Sequence, residues 1–358
     1  MHLPVPAPLK PMLARASRTI PEGSMLFEPK WDGFRCLVFR DGDELVLQSR
    51  NERPLVRYFP ELVEPLLEQL PERCVVDGEL VVVAPHGLDF ELLSQRIHPA
   101  ERRIALLSGT VPASFVAFDL LALDDRDLRE EPLESRRALL EQALGHARAP
   151  LHLTPVTTDH DTADEWFERF TGSGFDGVMA KPLDGTYVPD RRVQFKIKHH
   201  RSADCVVAGY RHHKDGGVGA LLLGLVGDED EPLLHHIGVC SAFSTSQRRT
   251  MLAELEAQQV ELADHPWAAW ADAPTDSGAQ RLPPAPSATA SSRSAEWVPL
   301  SCELVVEVTY ENVSSGSLRH PARFVRWRPD RDPDSCHMDQ LDSDTPPEFT
   351  DVFGTSDA

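Results

Sequence analysis

Apolar and polar positions alternate with a period of two along residues 34–40 and 44–50, on either side of Asp41-Gly42-Asp43. Alternation broken by an Asp-Gly turn predicts an antiparallel hairpin, and Lys30 then falls in the loop leading into it. Residues 58–70 carry helical spacing at Leu62, Val63, Leu66, Leu67 and Leu70 and stop before Pro71, which predicts a helix. Residues 74–83 read as two buried strand pieces interrupted by Asp77-Gly78-Glu79, and residues 115–123 as a further apolar strand containing Asp119. Carboxylates inside valine runs are costly unless they meet a metal, cations or hydrogen-bond donors. A short helix is expected at 90–97, and longer ones at 133–145 and 162–171. Residues 176–181 form a strand with an acid at one end and a lysine at the other. Residues 193–198 alternate strictly, so Lys196 and Lys198 share one face and Phe195 and Ile197 the opposite one.

After about residue 200 the pattern changes to short strands at 204–211, 220–226, 233–239, 302–310 and 323–328, with a helix at 246–261 after the third. Five strands in that arrangement suggest an OB-type barrel, although an SH3-like barrel would share the pattern. Residues 271–296 are rich in Ala, Pro and Ser and read as a flexible insertion within the barrel. The expected layout is one domain over 1–200, a barrel domain over 201–335, and an acidic, disordered tail over 336–358.

Composition adds one decisive fact. Of 36 Lys+Arg, only six are lysines: Lys10, Lys30, Lys181, Lys196, Lys198 and Lys214. Where charge alone suffices this chain uses arginine, so a retained lysine is a candidate for work that needs an amine able to lose its proton. Lys30, in Lys30-Trp31-Asp32-Gly33, is the candidate covalent nucleophile; the alternative is a surface lysine ahead of a turn. The alternative for Lys196 and Lys198 is the wet face of an edge strand. A net charge of −21 argues against non-specific coating of nucleic acid, but not against a local basic groove. Eight acids and no Lys or Arg follow Arg331. Six scattered cysteines with no C-x-x-C pair argue against a zinc ribbon or disulfide scaffold and fit a reducing cytoplasm. The sequence shows no apolar run long enough for a membrane span, and its first residues do not read as a secretory signal. Asp77 and Asp119 read as structural braces. The pairs His199-His200 and His212-His213 read as solvated or facing a nucleic acid and not as a metal site, because adjacent strand residues point to opposite faces.

Six short segments stand in one order: Lys30-Trp31-Asp32-Gly33-Phe34-Arg35, Ser49-Arg50-Asn51, Asp77-Gly78-Glu79, residues 115–120, residues 176–181 and residues 194–198. In that order and spacing they resemble the motifs of the nucleotidyltransferases. Over about residues 10–335 the chain is similar to two-domain bacterial ATP-dependent DNA ligases, especially the actinobacterial ligase C group. The resemblance implies an α+β chain: an adenylation domain (nucleotidyltransferase, ATP-grasp-like) with antiparallel sheets, then a five-stranded OB-fold. It implies ATP and Mg²⁺ (or Mn²⁺) as cofactors and nicked double-stranded DNA as partner. It implies nick sealing through a lysyl-AMP on Lys30, transfer of AMP to a 5′-phosphate, and attack by a 3′-hydroxyl.

By the same resemblance, Lys196 and Lys198 assist catalysis with Lys30. Glu28, Arg35, Glu79, Phe118, Lys181, Asp330 and Arg331 contact the nucleotide. Arg50 binds the 5′-phosphate, and Glu79 and Asp176 hold the metal. Family members often carry glutamate where this chain has Asp176, and lysine where it has Arg331. An RNA ligase, a GTP-dependent capping enzyme and a non-catalytic DNA-end-binding module are the competing readings. The expected setting is DNA repair in a bacterial cytoplasm, at the nucleoid, as a monomer that repair proteins help to grip DNA. Its own grip on nicks is expected to be weak and steeply salt-dependent.

Overall fold

The structure, a computed structural model, describes residues 1–84, 87–98, 100–169, 175–198, 201–227, 233–268, 297–314 and 316–341. The chain divides into two compact units, Met1–His199 and His200–Asp342. The first unit carries β1 (Leu13–Ser17), β2 (Met25–Trp31), β3 (Phe34–Asp41), β4 (Glu44–Ser49), β5 (Arg73–Ala84), β6 (Gly87–Leu88), β7 (Ala113–Leu123), β8 (Arg126–Asp127), β9 (Leu151–Leu153), β10 (Phe175–Pro182) and β11 (Arg192–Ile197). They form two sheets. One has the order β1-β11-β10-β2; the other runs β4-β3-β5-β7-β8, with β6 on β5 and β9 on β7.

The larger sheet is buried on both faces, and its register explains why. On β3 and β5, Arg35 pairs with Glu79, Leu37 with Asp77 and Phe39 with Val75, so these six share one face. The alternate residues Cys36, Val38, Cys74 and Val76 join the core built with Leu62, Leu66 and Leu140. Leu37, Phe39 and Val75 instead pack under the N-terminal segment, against Val5, Leu9 and Met12. The Gln48 side chain clasps that segment, accepting from the Leu9 N–H at 2.9 Å and donating to the Leu9 carbonyl at 2.6 Å. One sheet face is thus apolar at one end and carries Arg35, Asp77 and Glu79 at the other.

Several expectations change in the structure. Lys30 sits not in a loop but inside β2, which pairs with β10 and belongs to the other sheet from β3. Asp32-Gly33 is where the chain crosses from one sheet to the other. Residues 74–83 are one continuous strand, not two pieces, because the irregularity is absorbed by the neighbour. Asp77 and Gly78 pair with Asp119 and Ala117, which leaves Phe118 as an extra residue in a β-bulge. The helix expected over 58–70 is α only at α1 (Val63–Gln69), preceded by 3₁₀ turns around Pro60. Helix α2 (Phe90–Gln95) is followed by α3 (Glu101–Thr110), which the pattern did not reveal. Helices α4 (Leu133–Leu144) and α5 (His160–Arg169) complete this unit; residues Ala163, Trp166 and Phe167 of α5 pack with Phe27, Val178 and Ile197 of the smaller sheet.

The second unit contains β12 (Arg201–His212), β13 (Val218–Val226), β14 (Leu234–Ser241), α6 (Thr245–Glu256), β15 (Val298–Pro299), β16 (Val305–Tyr310), the small hairpin β17 (Val313–Ser314) and β18 (Ser317–Leu318), and β19 (Ala322–Trp327). Strands β12-β13-β14-β19-β16 pair in turn, and β16 returns to β12, so the sheet closes into a five-stranded barrel. Of the five barrel pairings among the described residues, β14–β19 alone is parallel, and α6 follows the third barrel strand, which is the OB arrangement. Helix α6 ends at Glu256 rather than 261. Beyond it the chain pairs with the barrel edge instead: Gln259 bridges Leu300, and the Val260 N–H donates to the Pro299 carbonyl. The insertion expected at 271–296 lies outside the described residues. Residues 336–341, expected in the solvated tail, pack on the barrel through buried Cys336 and Leu341.

Candidate active site

A cavity of about 860 Å³ opens in the first unit, with walls from both sheets and the N-terminal segment. From the smaller sheet come Glu28 and Lys30 on β2 and Lys181 on β10, with Lys196 on β11 and Lys198 just beyond it. From the larger come Arg35, Glu79 and Phe118. Alternation explains the first pair: Glu28 and Lys30 face the cavity, while Phe27 and Trp31 enter separate apolar clusters. Gly33 lets the crossing chain pass tightly over β5. A Cβ there would come within 2.1 Å of the Leu80 carbonyl oxygen. Across from Lys30, the β10 register breaks between Phe175 and Val178, where Gly177 adopts φ +119°. Asp176 belongs to this bulge, but its side chain lies outside the described residues.

Charge is the cavity's defining property. Nine basic side chains line it (those of Lys30, Arg35, Arg50, Arg53, Arg57, Lys181, Arg192, Lys196 and Lys198) against the acids Glu28, Asp32 and Glu79. In a chain of net charge −21 this local excess of cations marks a site for an anion. Arg50 and Asn51 sit exposed at the tip of a turn closed by Ser49. The Ser49 N–H donates to the Arg53 carbonyl, and Ser49 Oγ accepts from the Arg53 N–H at 3.0 Å.

The acids on the walls are held differently. Glu28 Oε1 lies 2.5 Å from Lys181 Nζ, and both groups are buried. Burial pushes the Glu28 carboxyl up, and the Lys181 charge opposes it. Its Oε2 has no hydrogen-bond partner among the described residues. Glu79 is driven further: burial raises its carboxyl to about 8, against the pull of Arg35 and Lys30. Arg35 donates twice to Asp77, at 2.5 Å from both Nε and Nη2, and its Cζ lies 4.5 Å from the Phe118 ring centroid. Lys181 Nζ lies 4.4 Å from the same centroid. Asp119 is a brace: Arg136 donates to it at 2.8 and 3.0 Å.

Two sequence-predicted residues belong to the second unit. Asp330 accepts from Arg328 at 2.8–3.2 Å, and Arg331 Nη2 donates to the Ser335 carbonyl at 3.2 Å. Arg328 also forks onto Asp204 at 2.9 and 2.8 Å. Of the histidine pairs, 199–200 lies outside the described residues, His212 is exposed, and His213 contacts Arg248 at 3.3 Å. The sequence reading missed Arg53, Arg57 and Arg192 as lining residues. The first two lie three and seven positions after Arg50, on the same turn and the 3₁₀ segment after it, which was the available signal.

A strand-borne amine ringed by cations, facing a buried carboxyl and an aromatic ring, defines the cleft of a nucleotidyl-transferring enzyme. Residues 11–198 match the ATP dependent DNA ligase domain and residues 214–331 the ATP dependent DNA ligase C terminal region. The chain is 51% identical over 354 residues to DNA ligase C2 of Mycolicibacterium smegmatis, covering 98% of this chain and 99% of that one. It is 50% identical over 350 residues to DNA ligase C of Mycobacterium tuberculosis, covering 96% of each. A solved structure of a Lig E DNA ligase shares the fold with a TM-score of 0.53 at 18% identity, covering 88% of this chain and 99% of that one. The chain belongs to the ATP-dependent DNA ligases, and its activity is the ATP-dependent sealing of nicks in DNA.

Proposed function

We propose that Lys30 is the residue that carries AMP and that the basic cleft holds in turn the nucleotide and the ends of a nicked duplex. The carrying observation is that Lys30, Lys181, Lys196 and Lys198, four of the chain's six lysines, line one cavity. Lys30 Nζ attacks the α-phosphorus of ATP; an N–P bond forms, the bond to pyrophosphate breaks, and the amine gives up a proton. A 5′-phosphate oxygen of the nick then attacks that phosphorus and frees Lys30. Finally the 3′-hydroxyl attacks the 5′-phosphate, and AMP leaves. Neighbouring cations stabilise charge building on the phosphate oxygens.

The other residues take complementary parts. Glu28 Oε2, buried and without a hydrogen-bond partner among the described residues, accepts from the exocyclic amine of adenine, and Phe118 walls the base. Arg35 reaches the ribose, and Lys181, Lys196 and Lys198 the phosphates. Arg50, exposed at its turn, forks onto the nick's 5′-phosphate. Asp330 and Arg331 act on the leaving pyrophosphate. The donor set suits a hard divalent cation, because Glu79 brings carboxylate oxygens to the cavity wall. Glu79 and Asp176 would hold Mg²⁺ or Mn²⁺, which when bound draws charge from the phosphate oxygens. DNA repair at the nucleoid in the cytoplasm, as a monomer with repair proteins as partners, is the setting this chemistry suits.

The test is intact-protein mass spectrometry after incubation with ATP and Mg²⁺. The parent gains one AMP, while Lys30→Ala and Lys30→Arg gain none. Adduct on either variant would remove Lys30 from the mechanism.

A further inference from the structure

We propose that Tyr187 is a positioning residue for the nucleotide site, its hydroxyl fixing both the arginine and the chain segment that form one wall of the cleft. The inference rests on the reading of that cleft as the ATP site. Tyr187 lies outside all six motif segments, between β10 and β11, and does not itself line the cavity. It is buried, and its hydroxyl makes two bonds. It donates to Asp77 Oδ2 at 2.6 Å and accepts from the Met12 N–H at 3.0 Å.

Each bond leads to the cavity. Asp77 has no solvent exposure, and its carboxylate accepts from Arg35 Nε, Arg35 Nη2 and the Tyr187 hydroxyl. Those donors fix the carboxylate in the plane that holds the Arg35 guanidinium against the Phe118 ring. Met12 stands in the run 11–14, which also lines the cavity. The Val188 N–H also points at Met12 Sδ, at 3.4 Å. The tyrosine ring carries a further link: Arg136 Cζ lies 5.9 Å from its centroid, and Arg136 grips Asp119, the residue after Phe118. One phenol therefore ties the N-terminal segment, β5 and the β7 bulge together at the cleft.

Replacing the hydroxyl leaves the Met12 N–H buried without its acceptor and removes one of three donors from Asp77. The apolar ring and its packing stay in Tyr187→Phe. The expected consequence is a looser nucleotide wall with the reacting groups untouched.

The experiment measures initial rates of self-adenylation against ATP concentration in the full chain. Tyr187→Phe should raise the half-saturating ATP concentration about five- to tenfold while the rate at saturation stays within about twofold. Tyr187→Met, which also lacks the hydroxyl, should shift it the same way. Leu121→Ala, in the same apolar cluster, should lower the melting temperature and leave half-saturation unchanged. A half-saturation within twofold of the parent for both Tyr187 variants would overturn the proposal. So would an equal rise in Leu121→Ala, which would reduce the effect to loss of packing. A parent that takes up no AMP would instead bring down the reading of the cleft, and this inference with it.

Discussion

Glu28 and Lys181 meet at 2.5 Å across neighbouring strands, both closed off from solvent, at the inner wall of a cleft built to take an anion. Each is the other's main compensation for burial. Removing one partner leaves an uncompensated charge, which costs about 3–5 kcal/mol. Glu28→Gln, which leaves the buried Lys181 ammonium without its counter-charge, is therefore expected to lower unfolding free energy by that order in denaturant titrations. Lys181→Met should cost less, because burial favours the protonated form that the freed Glu28 carboxyl can adopt. Equal losses for the two variants would show that the freed Glu28 keeps its charge.

Glu79 gives the protein a pH signature. Its carboxyl titrates near 4.5 when exposed and at about 8 in the fold, because burial outweighs Arg35 and Lys30. Between those values the folded chain holds a proton that the unfolded chain has released. This group's contribution to stability is complete below 4.5 and is lost as pH rises through 8. Glu79→Gln keeps the neutral form at every pH. Its melting temperature relative to the parent should climb from about pH 5 to about pH 9. A difference that stays flat over that range would contradict the raised value.

Gly33 tests the crossing between sheets. Its missing Cβ would strike the Leu80 carbonyl oxygen, which is backbone and has little room to yield. Gly33→Ala should cost about 1–3 kcal/mol and shift Lys30 relative to Arg35. Self-adenylation should fall more than thermal stability alone explains. A variant with parental stability and parental rate would mean the two sheets slide freely at this point.

The barrel insertion is bracketed by two tryptophans. The Trp267 and Trp297 rings lie 5.7 Å apart, each edge-on to His265. Ends held that close need no long connection. Replacing residues 271–294 with a short Gly-Ser link should stabilise the barrel by about 1 kcal/mol, since each halving of a loop recovers about 0.6 kcal/mol. Trp297→Ala should instead cost about 3 kcal/mol. Calorimetry of the two variants separates them, and a large loss from the shortened link would give the insertion a structural role.

The membership of the cleft was largely legible in the sequence, because its chemistry depends on residue types that this chain uses sparingly. Lys30, Lys181, Lys196 and Lys198 stand out in an arginine-rich composition, and the alternation around 193–198 put the last two on one face. What alternation does not convey is partner choice. Lys30 reads as a loop residue from its proximity to the Asp32-Gly33 turn, yet it is paired into a strand through contacts with β10, some 150 residues onward. Phe118 reads equally as core or as a binding platform. Its place on the cavity wall comes with its bulge, and a bulge depends on how two strands align, not on either alone.

Along the chain, then, residue order and periodicity settled which groups exist, which strand and helix segments they ride on, and that a barrel follows an α+β unit. These are local properties, set by side-chain spacing and backbone preference. The fold alone decided that Arg35 is gripped by Asp77, that Glu28 pairs with Lys181, and that Tyr187 ties the N-terminal segment to Asp77. Those pairings join residues up to 175 positions apart, as Met12 and Tyr187 are. They arise from burial, where every charge or donor taken from water must find a partner wherever the chain has brought one.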